Sequence, residues 1–167
     1  MVVLVGGGAD NRFANNTFHD CENVLVLSIR TGKGGISRRS HIHHNVFKSL
    51  NMNRGGEGTT TLQLASSGRL DYDRLLMESL VEQNYFENIM GDAETLSNKG
   101  NANVIRDNTF NNTKSLVIRQ GHNVVVEDNV LVKTTGPAIR VHGSGHQVRR
   151  NTIQSPDGDG IAINYGM

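Results

Sequence analysis

A chain of 167 residues suits one domain with a sizeable core. Its formal net charge of +1 offers no global field for nucleic acid or a membrane surface, and no apolar run reaches the length of a membrane span. Aromatics make up 5 % with no Trp, beside 19 Gly and 2 Pro, so turns with positive φ are expected around an aliphatic core. Cys21 is alone, which excludes an intrachain disulfide and predicts a buried thiol.

The opening, Met1 to Gly8, reads as a strand entered midway and lacks the basic flank of a signal peptide. Next comes a repeat. Asn-x-Phe or Asn-x-aliphatic recurs at Asn16-Thr17-Phe18, Asn45-Val46-Phe47, Asn84-Tyr85-Phe86, Asn108-Thr109-Phe110, Asn129-Val130-Leu131 and Asn151-Thr152-Ile153. The steps between these asparagines are 29, 39, 24, 21 and 22 residues. Short apolar runs precede the last three, at 104–107, 124–128 and 147–150. A second strand follows each Asn by about ten residues, at 24–30, 60–64, 94–97, 115–119, 138–142 and 160–164. Most of these runs alternate with period 2, as strands with one buried face do.

This pattern predicts an all-β fold, a single-stranded right-handed parallel β-helix over residues 1–167, short of coils at both ends. Each coil turns its Val, Ile, Leu and Phe inward and stacks on the next at about 4.8 Å. An Asn at each corner is expected to take left-handed backbone and to ladder its amide with the next Asn. A β-sandwich is the competing fold, but it does not account for the constant offset of the Asn from the strands. The long early steps carry insertions: Thr31-Gly32-Lys33-Gly34-Gly35, read as a flexible loop, then 51–58 and 65–74. Loops leaving a solenoid are either surface decoration or its binding surface.

Two features carry chemistry. Asp92 and Glu94 lie at i and i+2, on one face if the backbone is extended. Paired hard oxygens suit Ca²⁺, and a solvated acidic edge is the plainer reading. Lys99 and Arg119 are 20 residues apart, close to one coil, so they can face one groove from adjacent rungs. Two such cations repel unless an anion lies between them.

The stretch from Ser79 to Tyr165 resembles polysaccharide lyase family 6, the alginate lyases and chondroitinase B. Val81-Glu82-Gln83-Asn84-Tyr85-Phe86, Gly91-Asp92-Ala93-Glu94, Ser97-Asn98-Lys99, Arg106-Asp107-Asn108-Thr109-Phe110, Ser115-Leu116-Val117-Ile118-Arg119 and Ile139-Arg140-Val141 carry the likeness, and 41–47 resembles an upstream family coil. The resemblance implies Lys99 as general base and Arg119 as general acid. It implies Asp92 and Glu94 as calcium ligands, with Asp92 standing where the family has Glu. For the third ligand, the family motif points to Asn53, whereas counting back from 62–64 points to Glu57. Arg140 matches a position that contacts a substrate carboxylate; Gln120, His122 and His142 are placed with it as substrate contacts. Gln120 stands where the family usually has His.

The implied activity is β-elimination on an anionic uronic-acid polymer, alginate and poly-mannuronate foremost, by a secreted or periplasmic protein. A C5 proton beside a carboxylate becomes removable only when that carboxylate is neutralised. Lys99 serves as base if its pKa falls, and Arg119, charged in nearly any site, is a natural electrostatic stabiliser. Three other readings remain open: a non-catalytic uronan-binding β-helix, a structural β-helix segment, and a uronan epimerase. Apolar end rungs predict edge pairing with a second copy or a missing partner segment.

Overall fold

The structure is a computed structural model and describes residues 3–22, 25–32, 35–51, 60–65, 76–91 and 94–164. No α-helix occurs among them, and three parallel sheets wind into a right-handed β-helix. The first sheet stacks Val3–Gly6, Leu27–Gly32, Leu62–Leu64, Glu94–Asn98, Ser115–Ile118, Ile139–Val141 and Ile161–Ile163. The second stacks Arg12–Ala14, His41–His43, Leu80–Glu82, Val104–Arg106, Val125–Glu127 and Gln147–Arg149. The third stacks Thr17–His19, Val46–Asn51, Tyr85–Met90, Thr109–Asn111, Val130–Val132 and Thr152–Gln154.

Register explains the core. Phe18, Phe47, Phe86 and Phe110 occupy one inward file of the third sheet, continued by Leu131 and Ile153. Their rings stack at 5.0, 4.9 and 4.6 Å with nearly parallel planes. The second sheet contributes Phe13, Ile42, Val81, Ile105, Val126 and Val148 from its central file. Few aromatics suffice because the four rings stack in one continuous column instead of each serving as a separate bulky plug.

The recurring Asn does what the repeat implied, with one correction. Each Oδ1 accepts both the backbone N–H and the side-chain amide of the Asn one coil earlier, from Asn16 on Asn45 through to Asn129 on Asn151, at 2.9–3.1 Å. The left-handed residue, however, is the one before it: Asn15, His44, Gln83, Asp107, Asp128 and Arg150, with φ of 54–59°. A positive φ costs a non-glycine residue about 1–2 kcal/mol. It is repeated because it aims the next amide into the turn, where several hydrogen bonds outweigh that cost.

Two further expectations change. Thr31–Gly35 is not simply a flexible loop: Leu27–Gly32 extends past the coil and pairs antiparallel with Gly35–Ile36. Cys21 is only half-buried, with its Sγ 3.4 Å from the His19 carbonyl.

On the outer face of the second sheet, His43 is 4 % exposed. Arg12 Nε donates to its Nε2 at 2.7 Å, so that nitrogen must carry a lone pair. Its Nδ1 meets His44 Nδ1 at 2.7 Å, and the His41 ring stacks at 4.1 Å. Burial lowers the His43 pKa, helped by the charges of His41, Arg12 and His44 and opposed by Glu82.

Two measurements test this scaffold. Asn84→Ala orphans the Asn45 backbone N–H, while the Asn45 amide keeps the Phe13 and His43 carbonyls, and is expected to cost about 1–3 kcal/mol for the buried group left unpaired, read by urea unfolding. His43 is neutral in the fold, so the unfolded chain binds its proton first as pH drops. Stability should therefore fall as pH passes below the ordinary His range near about 6.5. His43→Gln should flatten that part of a plot of Tm against pH.

Candidate functional site

The first sheet presents a file of side chains that point out of the helix. Its members alternate with Leu96, Leu116 and Ile139, and with Asn98, Ile118 and Val141, which point inward. Lys99, Arg119 and His142 each come one residue after an inward position. Their backbone N–H groups donate to Leu64, Asn98 and Ile118 carbonyls at 2.8, 2.8 and 2.9 Å, continuing the parallel ladder. Lys99, Arg119, His142 and then Asn164 thus occupy successive rungs, about 4.8 Å apart. The adjacency of Lys99 and Arg119 inferred from their spacing is present.

An anion also lies among the cations. Glu94 Oε1 accepts from Arg119 Nη1 at 2.6 Å and from Arg140 Nη2 at 2.9 Å. The Glu94 side chain is 4 % exposed, against 40 % for Arg119 and 27 % for Arg140. One carboxylate therefore ties two guanidiniums from two later rungs, and the cluster keeps excess positive charge at its open side. Such charge-assisted bonds are the strong kind. Glu94 reaches them because the register slips between Glu94 and Leu96, leaving Thr95 as an extra residue. This bulge re-aims the side chain, and Lys114 N–H secures it by donating to Thr95 Oγ1 at 3.0 Å.

The turns after the file are equally constrained. Asn98 points inward; its Nδ2 donates to the Gly100 and Gln120 carbonyls at 2.9 and 3.2 Å, and its Oδ1 accepts from Asn103 at 2.7 Å. It thereby staples the turn after Lys99 to the turn after Arg119. Gly121, with φ of 97°, packs on Gly100, and Gly143, with φ of 101°, packs on Gly121. A Cβ at either glycine would meet the carbonyl oxygen beneath it at 2.4 Å. Sequence reasoning passed over Asn98, Thr95 and these glycines. The glycines do leave a signal, since one follows Lys99, Gln120 and His142 at coil spacing.

Other expected site residues scatter. Gln120 lies beside Arg119 with its Oε1 buried and without a hydrogen bond. His142 Nδ1 and Arg140 Nε are likewise buried and unpartnered. Burial lowers the His142 pKa, reinforced by Arg140 and Arg119 and opposed by Glu94. His122 sits past the groove, on the bridge to the second sheet, with Nδ1 2.9 Å from Ser144 Oγ. Lys99 is 8 % exposed. Asp92, Glu57 and Asn53 lie outside the described residues. Among the described residues no three acidic, imidazole or thiol groups come together to hold a metal, and Glu94 Oε1 is already engaged by two arginines.

Fold and site define a parallel β-helix with a cationic cluster on the outer face of one sheet. The family model for Chondroitinase B matches residues 4–161, and the chain belongs to that family. It is also similar to the solved PL6 family alginate lyase AlyGC, at 26 % identity over 84 % of this chain with a TM-score of 0.61. A mutant of the same lyase superposes over 97 % of this chain with a TM-score of 0.60 at 18 % identity, a likeness of fold alone. The chain spans 22 % and 37 % of those two chains. No match was found among curated protein sequences. No helix among the described residues is long and apolar enough to cross a membrane.

Gly121→Ala forces a Cβ onto the Gly100 carbonyl and strains a positive φ. It should destabilise the protein by about 2 kcal/mol or more by denaturant unfolding, with the damage centred on the turns that follow Lys99 and Arg119.

Proposed function

We propose that this chain carries the groove of a polysaccharide lyase that cleaves a uronic-acid polymer, alginate-like and rich in mannuronate, by β-elimination. The placement of Lys99 and Arg119 on consecutive rungs, with Arg140 beside them, supports this reading most directly. Arg119 and Arg140 bind the uronate carboxylate and draw off its charge as C5 loses its proton. Lys99, nearly buried in a file that also holds Arg119, is the base for that proton. As base it acts in the neutral amine form. The C5–H electron pair forms the C4–C5 double bond, the C4–O4 bond breaks, and O4 takes a proton from Arg119. Gln120 and His142, close to Arg119 and Arg140 in the chain, contact the sugar beside its carboxylate; His122 contacts the polymer further out.

Calcium belongs to this reading through the oxygen donors Asp92, Glu94 and Glu57. Bound there, it would add to the neutralisation of the carboxylate. The proton transfers are carried by the chain's own residues. A secreted or periplasmic setting follows from the size of such a polymer, and association with a second copy or a further segment of chain is part of the same proposal.

A second reading is a groove that binds uronan without cutting it. Gln120, standing where the family has His, favours it, as does the hold of Glu94 on both guanidiniums. Ultraviolet absorbance of unsaturated uronate ends decides between the two. Poly-mannuronate should give a rising trace, slower with chelator present. Lys99→Ala should lose about 100-fold or more with its unfolding curve unchanged. A fully active Lys99→Ala protein would sink the lyase assignment, and tight binding with a flat trace would establish the second reading.

A further inference from the structure

Arg119 has a proton acceptor on either side of it along the helix axis. Lys99 lies one rung below and His142 one rung above, in the same outward file. The stacked Gly100, Gly121 and Gly143 superimpose the three turns, so the file cannot slip. Lys99 and His142 are thus about two rungs apart, centred on Arg119.

His142 differs from the other imidazoles around it. His146 has both nitrogens occupied: Nδ1 accepts from Val124 N–H at 3.1 Å, and Nε2 donates to the His142 carbonyl at 2.9 Å. His122 is engaged by Ser144. The ring of His142 has no such anchor. Its Nδ1 is buried without a partner, and its Nε2 is 3.5 Å from Asn164 Nδ2, at the outer limit of a hydrogen bond. Its backbone, by contrast, is clamped by His146. The outcome is an uncommitted imidazole on a rigid turn. The groups that face it are Arg140 from its own rung, Arg119 and Glu94 from the earlier rungs and Asn164 from the next. Burial and the two arginines keep it neutral near pH 7, the form that accepts a proton.

The two uronic acids of alginate-type polymers are epimers at C5. Held by the same carboxylate and with the same chain direction, they present C5–H on opposite sides. We propose that His142 is a second base of this groove, taking the C5 proton of the guluronate epimer while Lys99 takes that of mannuronate. This rests on the lyase reading above. In the His142 step, the C5–H pair becomes the C4–C5 double bond. O4 leaves with the C4–O4 pair and takes a proton from Arg119, which recovers one from water. His142 ends as imidazolium and releases its proton to solvent.

The experiment uses defined poly-mannuronate and poly-guluronate and follows unsaturated ends for the wild type, Lys99→Ala and His142→Gln. The wild type should cut both polymers. His142→Gln should lower the ratio of guluronate to mannuronate cleavage by about 100-fold through kcat, and Lys99→Ala should raise it by a similar factor. If His142→Gln does not fold by circular dichroism, His142→Asn takes its place. A ratio within about threefold of wild type in the His142 variant, or a wild type confined to one polymer, overturns the second base and leaves the lyase reading standing. A wild type that produces no unsaturated ends from either polymer overturns both.

Discussion

Everything in this molecule depends on the rungs staying in register, and the asparagine ladder is what holds them there. The amides of Asn45, Asn84, Asn108 and Asn129 each donate to the carbonyl of their own corner, to a carbonyl of the preceding coil and to the next Asn. A slip of one residue would orphan several buried groups at once and turn an outward file inward. Hydrophobic stacking opposes such a slip too, but is less particular about which apolar residue fills each position, since Phe, Leu and Ile follow one another along an inward file. Polar satisfaction is the stricter constraint, and it repeats at every coil.

That strict pitch turns the outer surface of the first sheet into a ruler. Residues 20 to 23 apart in sequence are brought about 4.8 Å apart, in a fixed order, without loops to position them. Glu94 then sets the electrostatics: a nearly buried carboxylate holds one guanidinium from the next rung and another from the rung beyond. Two arginines aimed by one acid, with orphan polar atoms of Gln120, Arg140 and His142 close by, form a preorganised surface for an anionic sugar. The bulge at Thr95 and the glycine stack are the backbone devices that make this aim possible.

Opposite charges do related work on the second sheet. Arg106 and His41 share Glu82, and Arg149 and Arg150 share Glu127. Burial alone would raise the pKa of Glu82, but Arg106 and His41 outweigh it and hold the carboxyl below the usual range. These ladders replace apolar cover on an outward face that alternates acid and base from coil to coil. They belong to the scaffold, whereas the groove cluster leaves positive charge uncancelled.

The architecture was legible because a solenoid writes its fold as a period. Asn16, Asn45, Asn84, Asn108, Asn129 and Asn151 mark the corners, and the Phe two residues after four of them marks the core. Lys99 and Arg119 could be paired by counting, because their separation is one coil. Other features were not in the linear text. The left-handed residue sits before the ladder Asn because the amide must enter the turn, and that depends on backbone geometry. The grip of Glu94 on Arg140 spans 46 residues and arises from a bulge that no composition signals. His122 and His142 look equivalent in sequence, yet one turns to Ser144 and the other buries its Nδ1 without a partner. The sequence by itself determined coil, corner and file, since those follow from period and residue type. Only the tertiary structure decided which side chains in a file share a partner, because that rests on angles and distances between coils.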